Sequence, residues 1–283
     1  GLGDVYKRQF LGYVGQGMLD GCAVGNVFAS PSAKKMADMI KACDHGSGVL
    51  CLYGNYGGDN MNFDMACEMV EMDDVETRTV RVKDDVASSP KETKEKRRGV
   101  AGMVYGFKVA GAAAERMMSL DEVAAVAEKA LDNIRTMGVA LSPCIVPQVG
   151  EPTFKIGDDE IEIGMGIHGE KGIEVRKMMT ADEVAKTLVD RITQDMPLTQ
   201  GDEVSVLVNG LGATPMEEQL IVYRCVHELL TEKGVKIIMP HIGEYATSME
   251  MAGLSVTIFK LDEQLKELLT APAKTPFYTN LNK

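Results

Sequence analysis

The sequence predicts an α/β protein with two α/β domains, each a mixed sheet flanked by helices. Segments with strand-like patterns alternate with segments of helical apolar spacing over most of the chain. Three prolines interrupt that periodicity within residues 142–152. A chain of 283 residues is long enough for two compact domains. We therefore expect an N-terminal domain at residues 1–145 and a C-terminal domain at 146–283.

The elements of the first domain follow from local patterns. Residues 49–53 form a short apolar run that precedes a glycine, which is typical of a buried strand, and residues 62–72 then have helical apolar spacing. Residues 77–82 alternate as a strand does. Small residues dominate 97–116, so this segment is expected to be a helix, whole or broken, that packs closely against its neighbours.

Three helix starts are predicted from residues that cap free backbone N–H groups. Residues 119–122, 180–183 and 214–217 each place Ser or Thr three positions before Glu, which is the pattern of a capping box. The third has Pro215 in the expected first turn. Gly234 is well placed to end that third helix. Further strands are expected at residues 236–239 and 255–260.

Charge and composition exclude several classes of partner. The formal net charge of −12 argues against nucleic acid and anionic membrane surfaces, which attract positive fields. The six cysteines are scattered without metal-ligand spacing, so we interpret them as reduced thiols. No apolar run approaches the ~20 residues that cross a bilayer, and no signal peptide is visible. We expect a cytoplasmic protein that binds a small molecule or another protein.

Asp59 is the first candidate for chemistry. It ends the glycine-rich turn of residues 54–59, which follows a predicted strand and precedes a predicted helix. Glycine lets the backbone turn tightly or approach a ligand, and a carboxylate at such a place can act on that ligand. The alternative is that Asp59 only caps the following helix.

His168 is the second candidate. It lies within residues 164–172, where four glycines surround one of only four histidines in the chain. The alternative is a histidine that sits at the surface or makes structural hydrogen bonds, but its neighbours lack the bulk to pack around such a residue. Glu170 or a backbone carbonyl is expected to fix the tautomer of the ring. The other three histidines, at 45, 227 and 241, lie in a polar turn, in a helix and after a strand.

These and further stretches resemble one known family. Among them are Asn-Tyr-Gly-Gly-Asp at 55–59 and Gly-Ile-His-Gly-Glu at 166–170. The others, in chain order, lie at 12–19, 61–63, 84–87, 97–99, 111–115, 141–147 and 209–215. Together they resemble the substrate-binding K subunit of dihydroxyacetone kinase, from about residue 10 to the C-terminus.

The resemblance implies a role for each candidate. It implies that a ring nitrogen of His168 adds to the carbonyl carbon of the ketone and forms a hemiaminal. It implies that Asp59 acts as general base or orienting acceptor on the terminal hydroxyl while that oxygen attacks phosphorus. Further substrate contacts are expected at four positions, which are Gly54, Asn55, Gly58 and Gly166.

The resemblance also implies the partners. It implies no cofactor and no metal on this chain, with ATP or ADP and magnesium held by a separate L-type kinase subunit. That subunit is charged by ATP or by a phosphohistidine relay protein of the sugar phosphotransferase system, and these alternatives stay open. A homodimer is a further implication.

Two departures from the family pattern qualify these expectations. Residues 1–9 stand where the family has a Gly-Gly-Gly-Ser-Gly-His-Glu-Pro loop with a second catalytic histidine. We interpret them as a foreign junction on an N-terminally truncated chain, and expect weak activity or none from it.

The other departure is Gly54, which replaces a usual lysine. Loss of the lysine side chain removes a cationic donor and opens space, which favours a longer ketose such as erythrulose as one alternative substrate. Another alternative is a non-catalytic paralogue that senses dihydroxyacetone as a co-activator of transcription.

Overall fold

The computed structural model describes residues 9–147 and 149–281, and these residues contain seven α-helices and eleven β-strands. The helices are α1 (Ala33–Cys43), α2 (Gly57–Glu71), α3 (Met103–Glu115), α4 (Leu120–Asp132), α5 (Ala181–Asp195), α6 (Met216–Glu232) and α7 (Glu263–Thr270). The strands are β1 (Val49–Gly54), β2 (Thr77–Val82), β3 (Ile134–Ala140), β4 (Glu160–Ile163), β5 (Glu174–Lys177), β6 (Glu203–Gly210), β7 (Lys236–Ile237), β8 (His241–Gly243), β9 (Gly253–Leu261), β10 (Ala273–Lys274) and β11 (Thr279–Asn280). None of the helices in this part of the chain is both long and apolar enough to span a bilayer.

The described chain divides into two compact units. Unit one contains the chain up to Val82, then Met103–Asp132, then the chain from Glu263 onward. Unit two contains Lys83–Gly102 and Asn133–Asp262. Each unit is therefore built from segments that are distant in sequence.

These units differ from the predicted domains at 1–145 and 146–283. The expected boundary near 145 lies inside unit two, between β3 and β4, which pair with each other. Strand β3 also pairs along its whole length with β9. The prolines mark a loop within one sheet because strand pairing over long sequence distances leaves no local signal. The expected foreign junction at 1–9 lies outside the described residues except for Gln9, which begins a short 3₁₀ helix (Gln9–Tyr13).

Unit one is organised around a parallel pair of strands. β1 and β2 run in register from Val49 opposite Thr77, and helices α1 to α4 contact β1. The rings of Tyr53 on β1 and Phe63 on α2 stack with centroids 4.1 Å apart. Because both rings are buried, this contact fixes α2 against the strand that precedes it. Strands β10 and β11 form a separate antiparallel pair.

Unit two is organised around a seven-stranded mixed sheet. Its order is β5-β4-β3-β9-β6-β7, with β8 also paired to β6. β6 is antiparallel to β9 and parallel to β7 and β8. Helices α5 and α6 pack together and against this sheet, and their apolar side chains join those of the strands in one core. The predicted α/β class, with sheets flanked by helices, is confirmed.

Two of the three predicted capping boxes are present. Ser119 and Glu122 exchange hydrogen bonds at the start of α4, and Thr180 with Glu183 does the same at α5. The third helix start is confirmed, since α6 begins at Met216, but its predicted capping box is absent because none of the described side chains caps this helix. The hydroxyl of Thr214 instead donates to the carbonyl of Gly253 at 2.7 Å and accepts from its N–H at 2.8 Å.

A buried ion network ties the segment before α3 into unit two. Both terminal nitrogens of Arg97 donate to the carboxylate of Asp195, at 3.0 and 2.6 Å, and Arg135 Nε donates to the same carboxylate at 2.5 Å. Burial raises the pKa of Asp195, but the hydrogen bonds and positive charges of the two arginines outweigh it and hold the pKa at about 2. The ion pairs of Arg97 thereby fix the position of the neighbouring residue, Arg98, in the chain.

We expect Asp195→Asn to destabilise the chain by roughly 3–5 kcal/mol, because it leaves two buried guanidinium groups without their carboxylate. The wild-type carboxylate has a lowered pKa in the folded state. Its stabilising effect is therefore complete above the unfolded value of about 4 and is lost as the pH falls towards about 2. Urea unfolding at several pH values between 7 and 2.5 measures this. The variant should have a shallower loss of stability at acid pH, and equal pH slopes would contradict the assignment.

Candidate active site

Asp59 lies in the first turn of α2. β1 ends at Gly54, the chain turns through Asn55, and Tyr56 is the N-cap of the helix. The structure starts this helix five residues earlier than predicted, at Gly57. The apolar spacing begins only at residue 62 because the first turn carries two glycines and the candidate carboxylate instead of core residues.

The carboxylate of Asp59 is buried and unpaired. The residue is 1% exposed, and neither of its oxygens has a hydrogen-bond partner among the described residues. Asp59 therefore does not act as the side-chain cap of α2. The N-terminus of a helix favours an anion, which offsets part of the cost of burying this group. A buried polar group without a partner is rare in folded proteins and is concentrated at functional sites.

The other predicted contacts of unit one surround the same turn. The side-chain oxygen of Asn55 accepts a hydrogen bond from Asn60 at 2.9 Å, and its backbone N–H donates to Val82. A Cβ at Gly58 would lie 3.3 Å from the Cβ of Ser30. A Cβ at Gly57 would meet no atom within 4 Å. There is therefore free space beside Gly57, which lies in the same helical turn as Asp59.

The space at Gly54 is not open. A Cβ there would lie 2.9 Å from a ring carbon of Tyr56 and 3.3 Å from the terminal methyl of Met103. The Tyr56 ring covers the position at which the family has a lysine. The expectation that Gly54 enlarges the site is therefore not supported by this geometry.

His168 lies in the connection between β4 and β5 of unit two. The N–H of Gly169 donates to the carbonyl of Gly166, which closes a tight turn around His168. Met165 and Ile167 on either side of Gly166 are buried, so they anchor the turn in the core. The side chain of His168 is 11% exposed. The turn therefore holds the imidazole in a partly buried, defined position.

Glu170 holds the ring of His168. Its Oε1 lies 3.3 Å from Nδ1 of the imidazole, and its Oε2 accepts the backbone N–H of His168 at 3.0 Å. Burial raises the pKa of Glu170, but the hydrogen bond and charge of His168 and the charge of Arg98 outweigh it and hold the pKa at about 2. An ionised carboxylate at Nδ1 favours the tautomer with the proton on Nδ1, which places the lone pair on Nε2.

The glycines of this turn make room for protein atoms. A Cβ at Gly166 would lie 2.2 Å from Oε2 of Glu170 and 2.7 Å from a terminal nitrogen of Arg98. Gly164 and Gly169 have φ of +81° and +77°, which other residues rarely adopt. The glycines thus permit the turn and the close approach of Glu170.

The structure brings the predicted residues together in two groups. Gly54, Asn55, Gly58 and Asp59 share the β1–α2 turn of unit one, and Gly166 and His168 share the β4–β5 turn of unit two. In the residues that the structure describes, no cluster of three or more His, Cys, Asp or Glu side chains could hold a metal ion. Sequence reasoning gave no role to Arg98, although a charged pair at 97–98 beside glycine and apolar residues could have suggested a buried ion pair.

A separate cavity in unit one does not belong to either group. It measures about 580 Å³ and is lined by β1 and by apolar side chains of α1 and α3. Asp59 does not line it. Since neither Asp59 nor His168 lines it, we do not place the ketose there.

Comparisons with known proteins find close relatives over nearly the whole chain. The chain is 48% identical over 276 residues to the Listeria innocua protein named PTS-dependent dihydroxyacetone kinase 1, dihydroxyacetone-binding subunit DhaK, with 97% of this chain and 84% of that protein covered. It is 42% identical to an L-erythrulose kinase of Pectobacterium atrosepticum, with 98% of this chain and 48% of that protein covered.

A solved structure is similar over nearly the whole chain. The dihydroxyacetone kinase operon co-activator Dha-DhaQ superposes with a TM-score of 0.91 at 28% identity, covering 98% of this chain and 86% of that one. The family profile described as the Dak1 domain matches residues 6–277. With most of the chain matched by this profile and by a relative of 48% identity, the chain belongs to the Dak1 domain family.

Proposed function

We propose that this chain is the substrate-binding subunit of a dihydroxyacetone kinase and holds the ketone as a covalent hemiaminal on His168. The observation that carries the proposal is the pairing of His168 Nδ1 with the ionised carboxylate of Glu170 in a glycine turn. The names of the relatives, which are kinases or ketone-binding subunits, support the substrate class.

The anchoring step is an addition. The lone pair on Nε2 forms a bond to the carbonyl carbon while the C=O π bond breaks and its electrons move to oxygen. The proton on Nδ1 leaves towards Glu170, and the oxygen takes up a proton, so that the net change is transfer of one proton from nitrogen to oxygen. Glycerol has similar hydroxyl groups but no carbonyl carbon, so this chemistry selects a ketone.

Asp59 acts in the second step as general base or orienting acceptor for the terminal hydroxyl. Its carboxylate has no hydrogen-bond partner among the described residues and therefore has acceptor capacity for a substrate hydroxyl. Phosphoryl transfer depends mainly on positioning and charge stabilisation, so a tethered acceptor supplies much of what the reaction needs. Gly54, Asn55 and Gly58 form the turn that presents Asp59, and Gly166 permits the approach of Glu170.

The phosphoryl group comes from a separate L-type subunit that holds ADP or ATP with magnesium. The name "PTS-dependent" of the Listeria innocua relative supports a phosphohistidine relay protein as the source that charges that subunit. The family resemblance supports a homodimer. All six cysteines are free thiols, which is usual in a reducing compartment and supports the cytoplasm as location.

The test is a substrate screen by native mass spectrometry and by phosphorylation with an added L-type subunit. Dihydroxyacetone should add its whole mass without loss of water, since a hemiaminal is an addition product, and glycerol should not add. Absence of the adduct from the wild-type chain would overturn the proposal. An adduct without phosphorylation would instead favour a co-activator, which the similarity to Dha-DhaQ makes the second candidate.

The same screen decides between two ketoses. The 42% identity to an L-erythrulose kinase supports erythrulose as the alternative substrate. Because the Tyr56 ring covers Gly54, we expect dihydroxyacetone to be phosphorylated with the higher kcat/KM. A preference for erythrulose by the wild-type chain would show that Tyr56 moves aside when substrate binds.

A further inference from the structure

Arg98 contacts three separate parts of unit two at once. Its Nε donates to Oδ2 of Asp85 at 2.9 Å, and its Nη2 lies 2.8 Å from the same oxygen. Nη2 also donates to the backbone carbonyl of Gly164 at 3.1 Å. Nη1 lies 4.0 Å from Oε2 of Glu170. One guanidinium group thus joins the segment after β2, the start of the histidine turn and the carboxylate that holds His168.

Asp85 is a rigid support for that guanidinium. It is 2% exposed, and its Oδ1 accepts the N–H of Ala87 at 3.0 Å. The neighbouring Asp84 accepts the N–H groups of Val100 and Gly102, each at 2.8 Å. These bonds fasten the segment after β2, which carries Asp84 and Asp85, to the chain on the C-terminal side of Arg98. The arginine is therefore held at both its backbone and its side chain.

The two oxygens of Glu170 face different partners. Oε1 faces Nδ1 of His168, while Oε2 accepts the His168 N–H and faces Arg98. The close approach is possible because residue 166 is glycine, whose missing Cβ would lie within 3 Å of both Glu170 and Arg98. A rotation of the Glu170 carboxylate away from Arg98 would also remove Oε1 from the imidazole.

We propose that Arg98, supported by Asp85, is a positioning residue that aims the Glu170 carboxylate at Nδ1 of His168 and so determines which ring nitrogen carries the lone pair. This inference rests on the proposed function in one respect, because the tautomer has a functional role only if Nε2 of His168 adds to a ketone. Arginine suits the role, since its planar group can contact Asp85, Gly164 and Glu170 at once. Lysine keeps the charge but presents a single nitrogen.

The experiment measures the tautomer and the adduct separately. ¹⁵N spectra of histidine-labelled chain at one fixed pH report the tautomer of His168, whose signals are identified by their absence from the His168→Ala spectrum. We expect Arg98→Gln to convert a single tautomer into a mixture, with Arg98→Lys intermediate. We expect the dihydroxyacetone concentration for half-maximal adduct to rise by about tenfold or more in Arg98→Gln, as for loss of a charge-assisted contact.

The matched control is Arg176→Lys, since Arg176 pairs with Glu174 on β5 and is not among the contacts of Glu170 described above. It should leave both readouts unchanged. Unchanged ¹⁵N signals in a folded Arg98→Gln chain would overturn the proposal, and so would equal shifts in the control. If the Arg98 variants do not fold, Asp85→Asn is expected to move both readouts in the same direction, and its failure to do so would also overturn it.

Failure of the proposed function would be distinguishable from failure of this inference. A wild-type chain that forms no adduct contradicts the proposed function, whereas the ¹⁵N signals still show whether Arg98 controls the tautomer. An adduct that forms normally in Arg98→Gln, together with unchanged signals, contradicts only the positioning role.

Discussion

Replacing His168 with alanine is expected to abolish the covalent adduct with dihydroxyacetone. The side chain of residue 168 would then have no nitrogen to add to the carbonyl carbon, while the turn can persist because Met165 and Ile167 keep their buried positions. Without the tether, we expect phosphorylation in the presence of the L-type subunit to fall by roughly 10³-fold or more, the scale of a lost positioning advantage. Native mass spectrometry and a coupled phosphorylation assay measure the two effects.

The matched control for this variant is His227→Ala. His227 lies on α6 in the same unit and is exposed, and its ring lies 6.1 Å from that of Tyr223 between centroids. The control should form the adduct as the wild type does. An undiminished adduct in His168→Ala would show that another group carries the ketone, and the proposed function would then need a different nucleophile.

Replacing Asp59 with asparagine is expected to separate binding from catalysis. The adduct should form as in the wild type, because we propose that His168, held by Glu170, carries the anchoring chemistry. Phosphorylation should fall by roughly 10²–10⁴-fold, the usual contribution of a general base. The melting temperature should stay the same or rise, since the substitution removes a buried carboxylate that has no hydrogen-bond partner among the described residues.

Asp64→Asn is the control on the same helix. Asp64 is exposed on α2 and pairs with Arg81 at 2.8 Å, so its replacement should leave phosphorylation intact. Full phosphorylation by Asp59→Asn would exclude a role for that carboxylate in the reaction. A simultaneous loss of adduct and folding would instead show that Asp59 is structural.

Short-range patterns predicted most elements because the forces behind them are local. The apolar run at β1, the alternation at β2 and the capping boxes at α4 and α5 all appear in the structure at the expected residues. The structure starts α2 five residues before the predicted start, since its first turn carries the candidate carboxylate Asp59 rather than core residues. Apolar spacing does not mark this turn because it identifies only the residues that pack in the core.

Thr214 shows the other kind of failure. Its spacing before Glu217 matches a capping box, yet its hydroxyl bonds to the backbone of Gly253 at the start of β9. A tertiary partner distant in sequence competes with the local one, and a motif cannot reveal that competition. The two compact units do not divide at the boundary expected near 145 for the same reason, because β3 pairs with the distant strand β9.

The sequence by itself determined the α/β class, the family resemblance and the two candidate groups, His168 and Asp59. These follow from periodicity, from glycine-rich turns and from ordered motifs, all of which are readable along the chain. Only the tertiary structure showed that Asp59 is buried with no partner among the described residues, that the glycines around His168 admit Glu170, and that Arg98 joins that carboxylate to Asp85. Burial and ion pairing depend on which distant segments come into contact, and strand pairing within each sheet determines those contacts.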